Sequence, residues 1–590
     1  MFKSSLFYFK SNSEKSIFVI ISFLFFAFAV YFNAERIYGD AAAYLFSVIN
    51  SQSFQIAHNR PASLFIEFLP VLLIKLHLGL RHIILAFSIN EWLYVFISSL
   101  IFRILAGNWN FSFAILFSLL IGVRYNYFNP VSELILGTPF FFLLFFILRG
   151  NMGLARKMIF FTLTALFLIF SHPIYCLLVP FLIVINYYAT YQGEKKEALL
   201  ISISCIILLI FRYFLSGNYD IDPLKEVGNS SQTGFGFLLK FNYAGMIAKV
   251  FPAYLGAFIL FGITIFRLIK SNKKKLAAAL TIFITLYFFI VMYKFGRFFP
   301  DTYEPFERYL YPIPLAVCLA YFVYCYKKTI IEHSLLLLIV IYHFSLIFVY
   351  GKFVKERYNF LNNAIVNCDQ FNGYKFAYRN ENYFPVPKGH DWIMSSESML
   401  LSGIRGSDKV KQIIVKEYYP PDTLKLLQAD QIIFFPFPMW RKEIMQINTD
   451  YFNLQSSPVF YVNTDTVQSN QPDSFFKNIS INIGGHSNIK KNQDLLVPVI
   501  IHNDNCNLLY SGLGKEEVYI SYHWIKNGKV IVWDGLRTPI MCDVKNVVFQ
   551  FMKLRAPEEP GDYQLKADIV FEGKRWSGIV SENNRIYKVK

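Results

Sequence analysis

The sequence predicts a polytopic α-helical membrane domain, then a soluble α/β segment, then a β-sandwich. Three observations carry this expectation. Hydrophobic residues make up 55% of the 590 and charged residues only 16%, with a mean hydropathy of +0.38, whereas soluble chains carry roughly 25% charged residues. The apolar residues gather in long runs before Tyr350 and give way to ordinary polarity after it. The final stretch is a succession of short alternating segments punctuated by turns. With 64 Phe and 38 Tyr the chain is too apolar to be disordered. No period of about 20–50 residues repeats, which argues against a solenoid.

A hydrocarbon core of about 30 Å needs about 20 apolar helical residues. Eleven runs are candidate spans: 16–34, 83–105, 110–124, 132–149, 157–171, 174–190, 198–216, 250–269, 276–295, 310–326 and 329–350. The first follows Lys3, Lys10 and Lys15 and has no A-x-A site after it, so it reads as an uncleaved anchor. Orientation follows from Lys and Arg. With the N-terminus in the cytoplasm, the short connections RILAGN, RGNMGLARK, YQGEKKE, RLIKSNKKK and CYKK all fall inside, and each is basic. The long mixed-charge segments 35–82, 217–249 and 296–309 fall outside, as does everything after about 352. The net charge of +17 is then the footprint of loops beside an anionic membrane, not of nucleic-acid binding. The implied location is a membrane such as the bacterial inner membrane, with the C-terminal part in the periplasm.

Residues 62–80 are apolar but carry Glu67, Pro70, Lys75 and His77, and a crossing there would reverse every later basic loop. They are expected to lie in the outer interface. The domains are therefore 1–352, 353–474 and 475–590. In the second, SESMLLSGI (396–404) and PPDTLKLLQ (420–428) have helical character, and KQIIVKEYY and DQIIFFPF are strand-like. In the third, SINIGG, LLVPVIIHN, EEVYISYHWIKNGKVIVWDG, VVFQFMKL, DYQLKADIVFEG and KRWSGIV are strands, with Asn527-Gly528 as a hairpin turn. Seven Cys occur with no CxxC pair, so a structural zinc site or a thioredoxin motif is not expected.

Ionisable groups at a bilayer edge are functional candidates. Asp40 follows Gly39 and precedes AAAYLFSVI, so it is either a helix N-cap or a catalytic carboxylate. His58 and Arg60 follow in the same outer loop. Arg124 and Glu133 bracket RYNYFNPVSE, and His172 sits in the turn FSHPIY. GRFFPDTYEPFERYLYP holds Arg297, Asp301, Glu304, Glu307 and Arg308. Together these put carboxylates, Arg and His on one side of the membrane, with aromatic residues between them.

YGDAAAY (38–44), HNRP (58–61) before an interfacial helix, RYNYFNPVSE (124–133) and ERYLYP (307–312) give residues 1–350 a layout that resembles the GT-C superfamily of integral-membrane glycosyltransferases. In that resemblance Asp40 matches the acidic motif of the first outer loop, although a single Asp stands where many members carry two acids. His58 to Pro61 match the segment before the juxtamembrane helices, and Arg308 to Pro312 the late R-Y-x-x-P segment. The C-terminal stretch resembles an immunoglobulin-like accessory domain, through Trp533, Gly535, Arg537 and Thr538 and through Pro560, Gly561, Tyr563 and Leu565.

The resemblance implies a polyprenyl-phosphate-linked sugar donor and an extracytoplasmic glycan, lipid or protein acceptor, in contact with membrane lipids. Asp40 is then the base or a ligand to a divalent cation (Mg or Mn), and both roles stay open. Glu133 is the alternative catalytic carboxylate. Arg60, Arg124 and Arg308 are candidate phosphate partners, with His58, His172 and Glu304 as further substrate contacts. A lipid-linked glycan ligase or polymerase, a transporter and a non-catalytic scaffold are the competing classes.

Overall fold

The computed structural model describes residues 2–56, 60–190, 195–215, 243–295, 309–369, 373–378, 393–415, 433–434, 445–454, 459–461, 476–485, 488–504, 509, 518–540, 544, 547–578 and 586–590. The helices are α1 (Phe2–Tyr31), α2 (Asp40–Ser51), α3 (Ser63–Lys75), α4 (Leu80–Ala106), α5 (Asn110–Leu120), α6 (Glu133–Leu136), α7 (Thr138–Arg149), α8 (Leu154–Ser171), α9 (Tyr175–Thr190), α10 (Lys195–Leu215), α11 (Tyr243–Lys270), α12 (Lys274–Phe295), α13 (Pro312–Ala320, extended by a π-helical turn Tyr321–Cys325), α14 (Ile330–Cys368) and α15 (Met394–Gly403).

Seven of the eleven expected spans are helices long and apolar enough to cross a membrane, within α1, α4, α8, α10, α11, α12 and α14. They leave apolar side chains such as Ile203, Ile206, Ile207 and Ile210 of α10 exposed, which suits a lipid-facing surface. The other four expected spans are not met by a helix of that length. Segment 110–124 forms α5, whose 11 residues rise about 16 Å, well short of about 30 Å. Segments 174–190 and 310–326 form the short helices α9 and α13.

Segment 132–149 is broken between α6 and α7. A Cβ on Gly137 would lie 2.5 Å from the Tyr175 hydroxyl, which donates to the Leu134 carbonyl at 2.7 Å. The glycine makes room for the ring, and Pro139 restarts the helix. Hydropathy alone does not separate a short helix sheathed in protein from a crossing helix. Every residue of α5 from Phe111 to Leu120 is buried. The irregular backbone between α5 and α6 is enclosed as well, with almost every residue from 121 to 132 buried.

Connections expected on one side of the membrane touch one another. Lys328 pairs with Glu14 at 3.0 Å, Lys157 with Glu197 at 2.7 Å, and Arg267 with Glu332 at 2.5 Å.

At the opposite end a second core joins α2, α3, the start of α4 and the end of α14 to the segment beyond. α3 has 13 residues, about 20 Å of rise and too short to span. Asn90 of α4 pins it by donating to the Phe65 and Ile66 carbonyls at 2.7 and 2.8 Å. α14 runs unbroken through the expected boundary at 352, carrying Leu361, Ala364 and Ile365 into this core. There it meets α15 and a parallel sheet in the order β2 (Gln412–Val415), β1 (Lys375–Tyr378), β5 (Val459–Tyr461). The pair β3 (Ile433–Phe434) and β4 (Met445–Gln446) is antiparallel. The expected helix 420–428 lies outside the described residues.

The C-terminal part is two sheets enclosing one core. One has the order β12 (Val547–Arg555), β8 (Asp494–Asn503), β6 (Ile479–Ile483). The other runs β10 (Lys529–Val532), β9 (Val518–Lys526), β13 (Gly561–Phe571), β15 (Ile586–Val589), β7 (Asn488–Ile489), with β11 (Thr538–Pro539) on β9 and β14 (Arg575–Trp576) on β13. β6 alternates buried and half-buried positions, as a strand with one face on a core must. Trp524 is fully buried between the sheets, and its indole donates to the Arg555 carbonyl at 2.9 Å. Asn527 and Gly528 have φ of 50° and 77°, the two left-handed residues of the tight hairpin turn between β9 and β10.

Candidate active site

Asp40 opens α2. The N-cap position belongs to Gly39, at φ 58° and ψ −132°, with no side-chain cap. The expectation that Asp40 itself caps the helix is therefore corrected. The chain enters through a backbone shape that glycine adopts readily, and Asp40 stands one place further in, within the first turn.

One turn along the same face is Tyr44. Its hydroxyl donates to Glu133 Oε1 at 2.9 Å, and Arg60 Nη1 lies 3.4 Å from Glu133 Oε2. Arg60 and Glu133 are both buried. Burial raises the Tyr44 phenol well above its ordinary pKa, and the charges of Glu133 and Asp40 push it the same way, with Arg60 opposing. Asp40 and Arg60 from segment 35–82 and Glu133 from a remote one thus all bear on Tyr44, which stays a protonated hydrogen-bond donor.

Two further layers hold this arrangement. Ser63 donates to the Arg60 carbonyl at 3.1 Å. Glu67 Oε2 accepts the Gln55 N–H at 2.7 Å, which ties down the loop leading to Arg60. Burial pushes the Glu67 carboxyl up to about 8, so near neutral pH it is largely uncharged and tolerates its apolar site. Behind Asp40, Glu397 of α15 accepts the Gly39 N–H at 3.0 Å and Arg357 of α14 at 2.7 Å. Both partners of this ion pair are buried, at 5% and 3% exposure. The Arg357 guanidinium also lies 5.3 Å from the Tyr38 ring centre. The segment following the bundle therefore grips the residue next to Asp40.

Deeper in, Arg36 donates to the Tyr127 and Ser88 carbonyls at 2.9 and 2.6 Å and pairs with Glu91. It borders a cavity of about 20 Å³, room for about one water. Its donors are committed to backbone and Glu91, which marks an anchor for the turn after α1.

The remaining candidates are placed differently. Arg124 lies 5.8 Å from the Tyr350 ring centre. His172 ends α8, and its Nδ1 accepts the Ile174 N–H at 3.2 Å, closing the turn into α9. His58, Arg297, Asp301, Glu304, Glu307 and Arg308 lie outside the described residues. Among the described residues no group of three or more His, Cys, Asp or Glu side chains comes together. Glu133, the carboxylate that shares Tyr44 with Asp40, is already engaged by Tyr44 and Arg60. The described donors do not by themselves form a cage for a divalent cation.

Sequence reasoning missed Tyr44, Glu67, Arg357 and Glu397. Tyr44 was open to discovery, since a residue four after Asp40 shares its helix face. Glu397 gave no local signal, because its partners are remote in the chain. Neither the family models nor the curated proteins compared with the chain gave a match.

Proposed function

We propose that the chain is an integral-membrane glycosyltransferase that moves a sugar from a polyprenyl-phosphate donor to a glycan, lipid or protein acceptor outside the cytoplasm. The observation that carries this reading is the meeting of Asp40, Arg60 and Glu133 around Tyr44 at one end of an apolar bundle. In this reading the N-terminus is cytoplasmic, the Asp40 end faces the periplasm, and eleven passes remain, four of them made by the shorter segments.

The chemistry uses each group once. Asp40 takes the proton of an acceptor hydroxyl as its oxygen bonds to the anomeric carbon. The bond from that carbon to the phosphate oxygen breaks, and polyprenyl phosphate leaves with the electron pair. Arg60 offers its planar fork to the phosphate as charge builds there. Glu133, itself held by Tyr44, positions Arg60, and Glu397 fixes the backbone that presents Asp40.

The test needs no knowledge of the acceptor. Membranes containing the chain are given radiolabelled polyprenyl-phosphate mannose, glucose, galactose and arabinose, and release of polyprenyl phosphate is followed. Release from at least one donor, above that of membranes lacking the chain, supports the reading. Background release from all four contradicts it.

A further inference from the structure

α4 and α7 both lead away from the Asp40 end, and their far ends line a second, larger cavity. It is open to the surface and has a volume of about 300 Å³, at the lower end of the about 300–1,000 Å³ typical of small-ligand sites. Leu105 from the end of α4, Asn108 from the turn after it, Asn110 from the start of α5, Phe146 and Arg149 from the end of α7, and Val323 line it.

Its polar groups favour an anion. Arg149 is exposed, and its guanidinium lies 5.8 and 5.2 Å from the ring centres of Phe145 and Tyr324. Lys273 approaches the same Tyr324 ring at 5.4 Å, so two cations flank one aromatic ring next to the cavity. The Tyr324 hydroxyl has no hydrogen-bond partner among the described residues. The first turn of α5 adds the positive end of a helix dipole, with its Asn110 N–H capped by Asn108 at 3.0 Å.

The approach to the cavity is apolar. Ile97, Ile101, Ile104 and Leu105 are exposed at 47%, 49%, 78% and 51%. Their spacing puts them on one face of α4, and that face leads from mid-helix to the cavity mouth. A greasy track ending in a cationic recess has the shape of a phospholipid, with the acyl chain along α4 and the phosphate at Arg149.

We propose that this recess binds the headgroup of an anionic phospholipid, with Arg149 as the principal phosphate ligand and Lys273 as the second cation. The site is at the other end of the bundle from Asp40 and does not depend on the transferase reading. Basic pockets between membrane helices are suited to such headgroups, and a Lys or Arg near an anionic surface contributes about fivefold in affinity.

The test uses the full chain in nanodiscs of phosphatidylcholine with a minor fraction of phosphatidylglycerol, and bound lipid is counted by native mass spectrometry. Wild type should retain phosphatidylglycerol in excess of its share, and Arg149→Gln should lower that excess about fivefold. Arg149→Lys keeps the charge without the fork, so it should fall between the two and control for misfolding. Inorganic phosphate added at millimolar concentration should leave the lipid in place. Equal retention of both lipids, an excess unchanged in Arg149→Gln, or displacement by free phosphate would each overturn the proposal.

Discussion

At one end of the helical bundle each ion pair keeps one partner near solvent: Lys328, paired with Glu14, is 41% exposed, and Glu197, paired with Lys157, and Arg267, paired with Glu332, are each 25% exposed. At the other end both partners of each pair are buried, Arg60 with Glu133 and Arg357 with Glu397. There Glu133 also accepts from Tyr44, and Glu397 from the Gly39 N–H. The difference teaches where function is to be sought. A pair open to water fastens a connection at little cost, whereas a buried pair is costly to break and responds to a change together with its hydrogen-bonded neighbours.

Breaking the network should have the largest effect on stability. Glu397→Ala leaves Arg357 buried without its carboxylate, and removing one member of a buried pair costs about 3–5 kcal/mol. Yield and thermal stability of the purified protein should fall sharply. Glu397→Gln can still accept from Gly39, so it should fold better while lowering transfer activity through the altered Asp40 backbone. At the opposite end, Lys328 is 41% exposed, and Lys328→Gln should cost no more than about 1 kcal/mol. Equal losses for Glu397→Ala and Lys328→Gln would erase the contrast between the two ends.

A titration sharpens the same contrast. The Glu67 carboxyl is raised by burial from 4.5 to about 8. A carboxyl raised on folding favours the native state when protonated. Its contribution is full below pH 4.5 and fades as pH climbs towards about 8. Thermal stability should therefore decline over that window in wild type, and Glu67→Gln should flatten the decline. A slope unchanged in Glu67→Gln would show that the carboxyl is charged and that the loop to Arg60 is held otherwise. The effect on activity should be smallest in the sandwich. Gly528 sits at φ 77°, where a side chain costs about 1–2 kcal/mol. Gly528→Ala should speed hydrogen exchange in β9 and β10 without changing activity.

How much of this was legible in the sequence differs by region. The sandwich strands were legible because a strand with one buried face alternates, and β6 and β12 do so along their length. Asn527-Gly528 declared its turn. At α5, α7, α9 and α13 the apolar runs were legible but the helix lengths were not, since an apolar run records burial without saying whether lipid or protein does the covering. Asp40, Arg60 and Glu133 stood out because charge beside a bilayer is costly and needs a reason. Glu397 lay in an ordinary helical segment, SESMLLSGI, and only the fold brings it to Gly39 and Arg357. The boundary expected at 352 marked a change in polarity, but α14 and its core continue through it.

In the proposed function Asp40 is a base and not only a structural residue of the first turn of α2. Asp40→Asn keeps the shape and removes the charge. Loss of a general base lowers rate by about 10²–10⁴-fold. The measurement is polyprenyl phosphate release by membranes carrying equal amounts of wild type and Asp40→Asn, with the donor that wild type accepts. The two proteins should insert equally and be equally stable, and Asp40→Asn should lose at least about 10²-fold in release. Full release by Asp40→Asn would contradict the role of Asp40 as base and move the chemistry to Glu133.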